Sequence, residues 1–248
     1  MIFFALLKSP LPSFPSLFRL GLLAALVLSA ASPGAQAQSF CASDGQPRPV
    51  RLMERFISAD CEACWSDPAT PEPGPRAVAL DWIVPGTRGD EAPLSAVATR
   101  DALARLEALR KSSPATATTT VQPVKGLPGA TLRVAHGLPV SGYLGASIEL
   151  KPVAPAARQR LTAWLALVET LPAGTEGSPV ERNLVRNLLS LPWDGRKPLS
   201  KGVQSRFFEA RSMGIAPVAS LERLRVIGWL EDEQGQVLAA AESRCAAP

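Results

Sequence analysis

Seven short apolar runs follow Gly129, separated by turns carrying Gly, Pro, Asp or Asn, and no long helical pattern lies among them. They are Thr131–His136, Tyr143–Lys151, Leu161–Glu169, Asn183–Leu191, Arg206–Ala210, Leu221–Leu230 and Gln236–Ala241. A chain punctuated in this way must pair its strands edge to edge and then bury a face, so residues 129–248 are expected to form a β-sandwich-like domain. One segment, Glu181–Leu191, fits helical periodicity nearly as well as a strand. The composition, 46% hydrophobic and 19% charged, supports a packed core over disorder.

Upstream the pattern changes. Val50–Ile57 reads as a strand, and Ser58-Ala59-Asp60 leads into Cys61-Glu62-Ala63-Cys64-Trp65, where Ser58 or Asp60 can cap a helix. That helix must be short, because Pro68, Pro71, Pro73 and Pro75 follow and proline blocks helix interiors. Arg76–Val84 is a second strand, Ala98–Lys111 a helix with Leu103, Leu106 and Leu109 on one side, and Ala115–Val121 a third strand. The alternation β, short α, β, α, β predicts a small three-layer α/β domain over 50–128, giving an α/β plus all-β chain. Residues 38–49, polar and proline-bearing, read as a leader segment with little structure.

Residues 1–37 carry Lys8 and Arg19, no acidic residue, an apolar run from Gly21 to Ala31, and Ala35-Gln36-Ala37. This order is that of a secretory signal peptide cleaved after Ala37. Cleavage would remove two of 26 basic residues and none of 22 acidic ones, taking the formal charge from +4 to +2. So nearly neutral a chain, without a basic cluster, argues against nucleic-acid binding. No second apolar stretch reaches membrane length. The expected location is periplasmic or secreted, where disulfides persist.

Four cysteines stand at 41, 61, 64 and 245. A Cys-x-x-Cys after a strand and at a helix start has a chemical logic: helix amides favour a thiolate at Cys61, and Cys64 lies within disulfide reach. Cys61 would attack a partner's disulfide and Cys64 would resolve the mixed disulfide. Static cross-linking and metal binding are the alternatives. The single histidine, His136, and three methionines offer too few ligands for an obvious copper or zinc centre, so no metal or cofactor is expected. Asp60 and Glu62 flank Cys61, and their charge disfavours the thiolate. The pair is therefore expected to be reductase-like or structural rather than strongly oxidising. Cys41 and Cys245 bracket the chain either as a second redox pair or, more simply, as a structural disulfide tying leader to last strand. Such a closure would stabilise by up to about 4–5 kcal/mol in the chain-entropy view.

The stretch Glu54-Arg55-Phe56-Ile57-Ser58-Ala59-Asp60-Cys61-Glu62-Ala63-Cys64 resembles the E-x-F-x-S-x-x-C-x-x-C signature of a bacterial family of secreted thioredoxin-like proteins of unknown function. Asn183-Leu-Val-Arg186, Val226-Ile-Gly-Trp-Leu and Gln236-Val-Leu-Ala-Ala resemble its C-terminal pattern more loosely. The resemblance implies a thioredoxin-like domain at 50–128 and thiol–disulfide exchange with exported protein thiols or disulfides. It also implies a cis-proline loop facing the cysteines, for which Pro114 is the first candidate and Pro139 the second. This chain departs from the pattern in having Asp60 before the first cysteine and Trp65-Ser66-Asp67-Pro68 after the second. A non-catalytic scaffold of the envelope is the rival reading.

Glu54 is a candidate for handling the resolving proton, or else simply pairs beside Arg55. His136 reads as a strand residue with a local hydrogen bond. Trp65 would shield the sulfurs, dock a partner or join the core, while Trp82, Trp164 and Trp229 read as packing. Glu231-Asp232-Glu233 before Gln234-Gly235 reads as a hairpin turn.

Overall fold

A computed structural model describes residues 41–151, 159–196 and 207–245. The expected signal peptide, 1–37, and the first residues of the leader lie outside the described residues. β1 (Cys41–Ala42), β5 (Thr131–His136), β6 (Tyr143–Lys151), β9 (Phe208–Gly214) and β12 (Arg244–Cys245) form a five-stranded sheet in the order β12-β1-β5-β6-β9. A seven-stranded sheet runs β11-β10-β7-β8-β3-β2-β4. Its strands are β2 (Arg51–Ser58), β3 (Ala77–Val84), β4 (Ala117–Pro123), β7 (Arg160–Leu171), β8 (Arg182–Asp194), β10 (Leu224–Glu231) and β11 (Val237–Glu242). Among the described residues the α-helices are α1 (Glu62–Trp65) and α2 (Arg100–Ala108).

The two sheets face each other because their strands alternate. Val134 and Ile148 of one sheet and Leu165, Leu167, Val226 and Leu230 of the other share a core. Alternate residues of the large sheet, Phe56, Leu80, Trp82, Trp164, Ile227 and Trp229, point the opposite way into a second core with Ala102 and Leu106 of α2. Thus β2, β3, β7 and β10 are buried on both faces. At Gly228 the sheets approach each other closely: a Cβ there would stand 2.5 Å from Val134 Cγ1 and 2.9 Å from Ile148 Cδ1. Both neighbours are fully enclosed, so the Gly228→Ala substitution should cost about 1–3 kcal/mol by overpacking. Urea unfolding checks this; an unchanged midpoint would mean that the sheets can separate at little cost.

The α/β-plus-β-sandwich expectation needs correcting. The chain is nearly all β, with two large sheets, and residues 50–128 do not make a thioredoxin-like α/β domain. Their three strands continue into one sheet with β8, through the parallel contact of Asp81 with Leu184, so the sheet crosses the expected division at 128/129. The prolines explain part of this. α1 ends after Trp65, and the face that a longer helix would cover is closed by Ile57, Trp65, Ile83, Ala92, Leu171 and Leu184. Within Glu181–Leu191 the chain is strand, not helix, from Arg182 onward, because it pairs with β7, with one register shift opposite Leu167 and Val168. Leu221–Arg223 makes a 3-10 turn before β10 begins, and the fifth run appears as Phe208–Gly214.

Candidate functional site

At the end of β2 the backbone turns sharply. Ser58 still donates to the Thr116 carbonyl at 2.7 Å, and then Cys61 N–H donates to the Ser58 carbonyl at 3.0 Å and Cys64 N–H to the Cys61 carbonyl at 3.1 Å. Cys61 is the N-cap of α1, without a side-chain cap. The local geometry brings the two sulfurs together as a disulfide of 2.00 Å, with Cα atoms 5.3 Å apart. Both cysteines are half-buried, and Glu62 and Ala63 between them are exposed. Because α1 has only four residues, its dipole is small, and the amide stabilisation expected of a full helix is largely missing.

Asp60, just before the pair, is tied down. Its carboxylate accepts from Thr87 N–H at 2.7 Å, Thr87 Oγ1 at 2.9 Å and Arg88 N–H at 3.3 Å. The Thr87 backbone bond, above all, holds its pKa below the ordinary aspartate value. A fixed negative charge therefore sits beside Cys61. Gly86 is required for it, since a Cβ there would lie 2.3 Å from the carboxyl carbon.

From below, α1 is held by buried charges that the sequence reading missed. Asp81 of β3 bridges two arginines, Arg182 Nη1 at 3.0 Å and Arg55 Nη2 at 2.7 Å, and all three side chains are sealed from solvent. Arg182 also donates to the Trp65 carbonyl at 2.9 Å and to Thr70 Oγ1 at 3.1 Å, and its guanidinium lies 5.0 Å from the Trp65 ring centroid. Arg55 reaches the Pro71 carbonyl at 2.9 Å. The indole of Trp65 donates to the Glu176 carbonyl at 2.8 Å. Burial, more than Asp81 can offset, brings the pKa of Arg182 below its usual value. Beside the disulfide a cavity of about 220 Å³ is lined by Ile57, Cys64, Thr70, Thr116, Thr118 and Arg182, among others. The signal for this cluster was a charged residue inside an apolar strand, Asp81 in Ala-Val-Ala-Leu-Asp-Trp-Ile-Val, since such a residue is rarely buried without a partner.

Glu54 is not at the site. It stands on the α2 face of β2, fully buried, with Oε1 and Oε2 bonded by Arg105 at 2.7 and 2.8 Å. Four residues of strand, roughly 13 Å at about 3.3 Å each, separate it from Ser58. Arg105 also binds Glu231 at 2.6 Å, and the indoles of Trp164 and Trp229 donate to the same carboxylate. Glu231 is thus a buried strand residue, not part of a turn. Nor does Pro114 make a cis-proline loop: no peptide bond among the described residues is cis. Pro114 lies two residues before Thr116, whose carbonyl receives the Ser58 N–H.

Cys41 and Cys245 form the other disulfide, across β1 and β12. His136 neighbours Cys41 on β5, 5% exposed, with Nδ1 3.0 Å from the Gly137 carbonyl. Burial lowers its pKa from the ordinary 6.5, against the opposing carbonyl. The sign follows. An unfolded chain takes up the proton first, so this stability is complete above pH about 6.5 and is lost as pH falls below it. The urea midpoint should therefore drop between about pH 7.5 and 5.5, with a flatter profile in His136→Gln. Equal slopes in both proteins would place the pH dependence elsewhere.

No family model matches the sequence, and no curated protein matches it. Among solved structures the chain is similar to HBP35 of Porphyromonas gingivalis, with a TM-score of 0.44 and 12% sequence identity, over 79% of this chain and 74% of that one. A likeness that loose assigns neither fold nor activity. No helix among the described residues is long and apolar enough to cross a membrane.

Proposed function

We propose that this protein is exported and exchanges disulfides with thiols or disulfides of other exported proteins through Cys61 and Cys64. The observation that carries the reading is the half-buried Cys61–Cys64 disulfide at the end of β2, on a turn anchored from beneath by Arg182. A rigid support of this kind lets the sulfurs open and close without moving the sheet. The resemblance of residues 54–64 to the signature of an exported family supports the same reading, as does the pairing of all four cysteines.

In the reduced form the Cys61 thiolate attacks a partner disulfide, and one partner sulfur leaves as a thiolate. Cys64, after losing its proton, attacks Cys61 Sγ. The internal disulfide forms, and the partner departs with both thiols. An external dithiol must return two electrons and two protons before the next cycle. The Asp60 charge and the one-turn helix both leave the Cys61 thiolate weakly stabilised, which favours the internal disulfide. The pair is thus a reductant, with a midpoint more negative than about −150 mV.

The test is trapping. Full-length protein with Cys64→Ala, quenched with acid in the cells that export it, should accumulate mixed disulfides through Cys61, and these should disappear in Cys61→Ala. Absence of any such adduct, or a midpoint above about −150 mV, overturns the corresponding half of the proposal. In the first case the scaffold reading, with two static disulfides, replaces it.

A further inference from the structure

Away from the Cys61–Cys64 turn, three side chains stand in one cross-strand row of the small sheet: Cys245 on β12, Cys41 on β1 and His136 on β5. The two sulfurs and a ring nitrogen of His136 all lie within 4.8 Å of one another. Because a carbonyl only accepts, the 3.0 Å contact of Nδ1 with the Gly137 oxygen makes Nδ1 the protonated nitrogen. Nε2 then carries the free lone pair. It is buried and has no hydrogen-bond partner among the described residues, an unfavourable state for a buried polar atom. An imidazole fixed through Nδ1 by a backbone carbonyl, with its other nitrogen bare and its ring beside two sulfurs, is arranged as metal-binding histidines are.

We propose that reduction of the Cys41–Cys245 disulfide converts this row into a site for one thiophilic d10 cation, zinc(II) or copper(I), held by both thiolates and Nε2 of His136. A dithiol reductant supplies two electrons and two protons; the S–S bond breaks, two thiols form, and the reductant leaves as its own disulfide. Binding of the ion then releases the two thiol protons to solvent as two metal–sulfur bonds and one metal–nitrogen bond form. With zinc, water takes the fourth position. Metal–sulfur and metal–nitrogen bonds of about 2.3 and 2.0 Å in a tetrahedral arrangement need ligand separations of roughly 3.5–3.8 Å, so the two sulfurs, bonded to each other in the disulfide, must move apart on reduction, while the imidazole already stands within 4.8 Å of both. Cys245 is exposed, so reductant and ion can enter from the sheet edge. The ion would take over from the covalent bond as the tie between β1 and β12.

The test uses the full chain with Cys61→Ser and Cys64→Ser, so that the remaining thiols are those of the row. After reduction with a phosphine and its removal, zinc is titrated against a chromophoric chelator and copper(I) against a copper(I)-selective one, with cobalt(II) as a spectroscopic stand-in for zinc. One ion per chain is expected, only in the reduced form, with a sulfur-to-cobalt charge-transfer band. His136→Gln should weaken binding at least tenfold while its oxidised form keeps the native circular dichroism spectrum. The tighter of the two ions identifies the occupant. Absence of binding, binding undiminished in His136→Gln, or equal binding to the oxidised chain overturns the proposal. So does a reduced chain that unfolds and is not refolded by either ion. None of these outcomes bears on exchange at Cys61 and Cys64.

Discussion

The Arg105→Leu substitution is expected to remove about 3–5 kcal/mol of stability or more, a large share of the roughly 5–15 kcal/mol with which a domain starts. Arg105 has no exposed side-chain surface and is ion-paired with two carboxylates, Glu54 and Glu231. Its guanidinium also lies 4.9 and 5.1 Å from the centroids of the stacked Trp164 and Trp229 rings. Burial works against its charge, yet the two carboxylates outweigh burial and raise its pKa above the usual value. Leucine would leave both anions enclosed between α2 and the large sheet. Urea unfolding followed by indole fluorescence measures the loss. The cause is isolated by adding Glu54→Leu and Glu231→Gln to the same chain, which should recover at least half of it, since apolar replacement of a whole ion cluster is far less costly than removing one member. A loss below about 1 kcal/mol in the single variant would mean that water reaches the cluster.

The second large effect is expected at Asp81. In Asp81→Asn, Arg55 and Arg182 face each other with no anion between them, at a cost of about 3–5 kcal/mol. Here the damage should spread to the cysteines. Arg182 holds the Trp65 carbonyl and Thr70, and Arg55 holds the Pro71 carbonyl, so losing their common anchor loosens the segment from 65 to 71. The Cys61–Cys64 disulfide should then be reduced faster by a small dithiol, under conditions where the chain is still folded. A destabilised variant whose disulfide reacts at the unmodified rate would show that the support beneath α1 does not govern sulfur access.

Much of the strand inventory was legible because its physics is local. Thr131–His136 and Tyr143–Lys151 appear with the bounds read from the sequence, since alternation and turn residues act within a few positions. Both cysteine pairings were likewise anticipated, one from its spacing and one from its place at the two ends. The partition into two domains was not legible. It turns on β3 meeting β8, where Asp81 pairs with Leu184 across about a hundred residues, and no local pattern encodes that contact. The pairing of Glu54 was hidden for a related reason: its partner Arg105 lies on α2, 51 positions later. A carboxylate within an apolar strand announces a partner but not its address. His136 was read as a strand residue, and so it is. Its row with Cys41 and Cys245 depended on the register of three strands from opposite parts of the chain.

The Cys41–Cys245 bond spans a sequence separation of 204 residues, so nearly the whole described polypeptide is a closed covalent loop. A single proteolytic cut between those two cysteines cannot release a fragment: the nicked molecule keeps its mass and migrates as one piece until a reductant is added. The strands on either side of the break then stay at high effective concentration. For such a molecule the breaking of a peptide bond and the loss of its architecture are separate events.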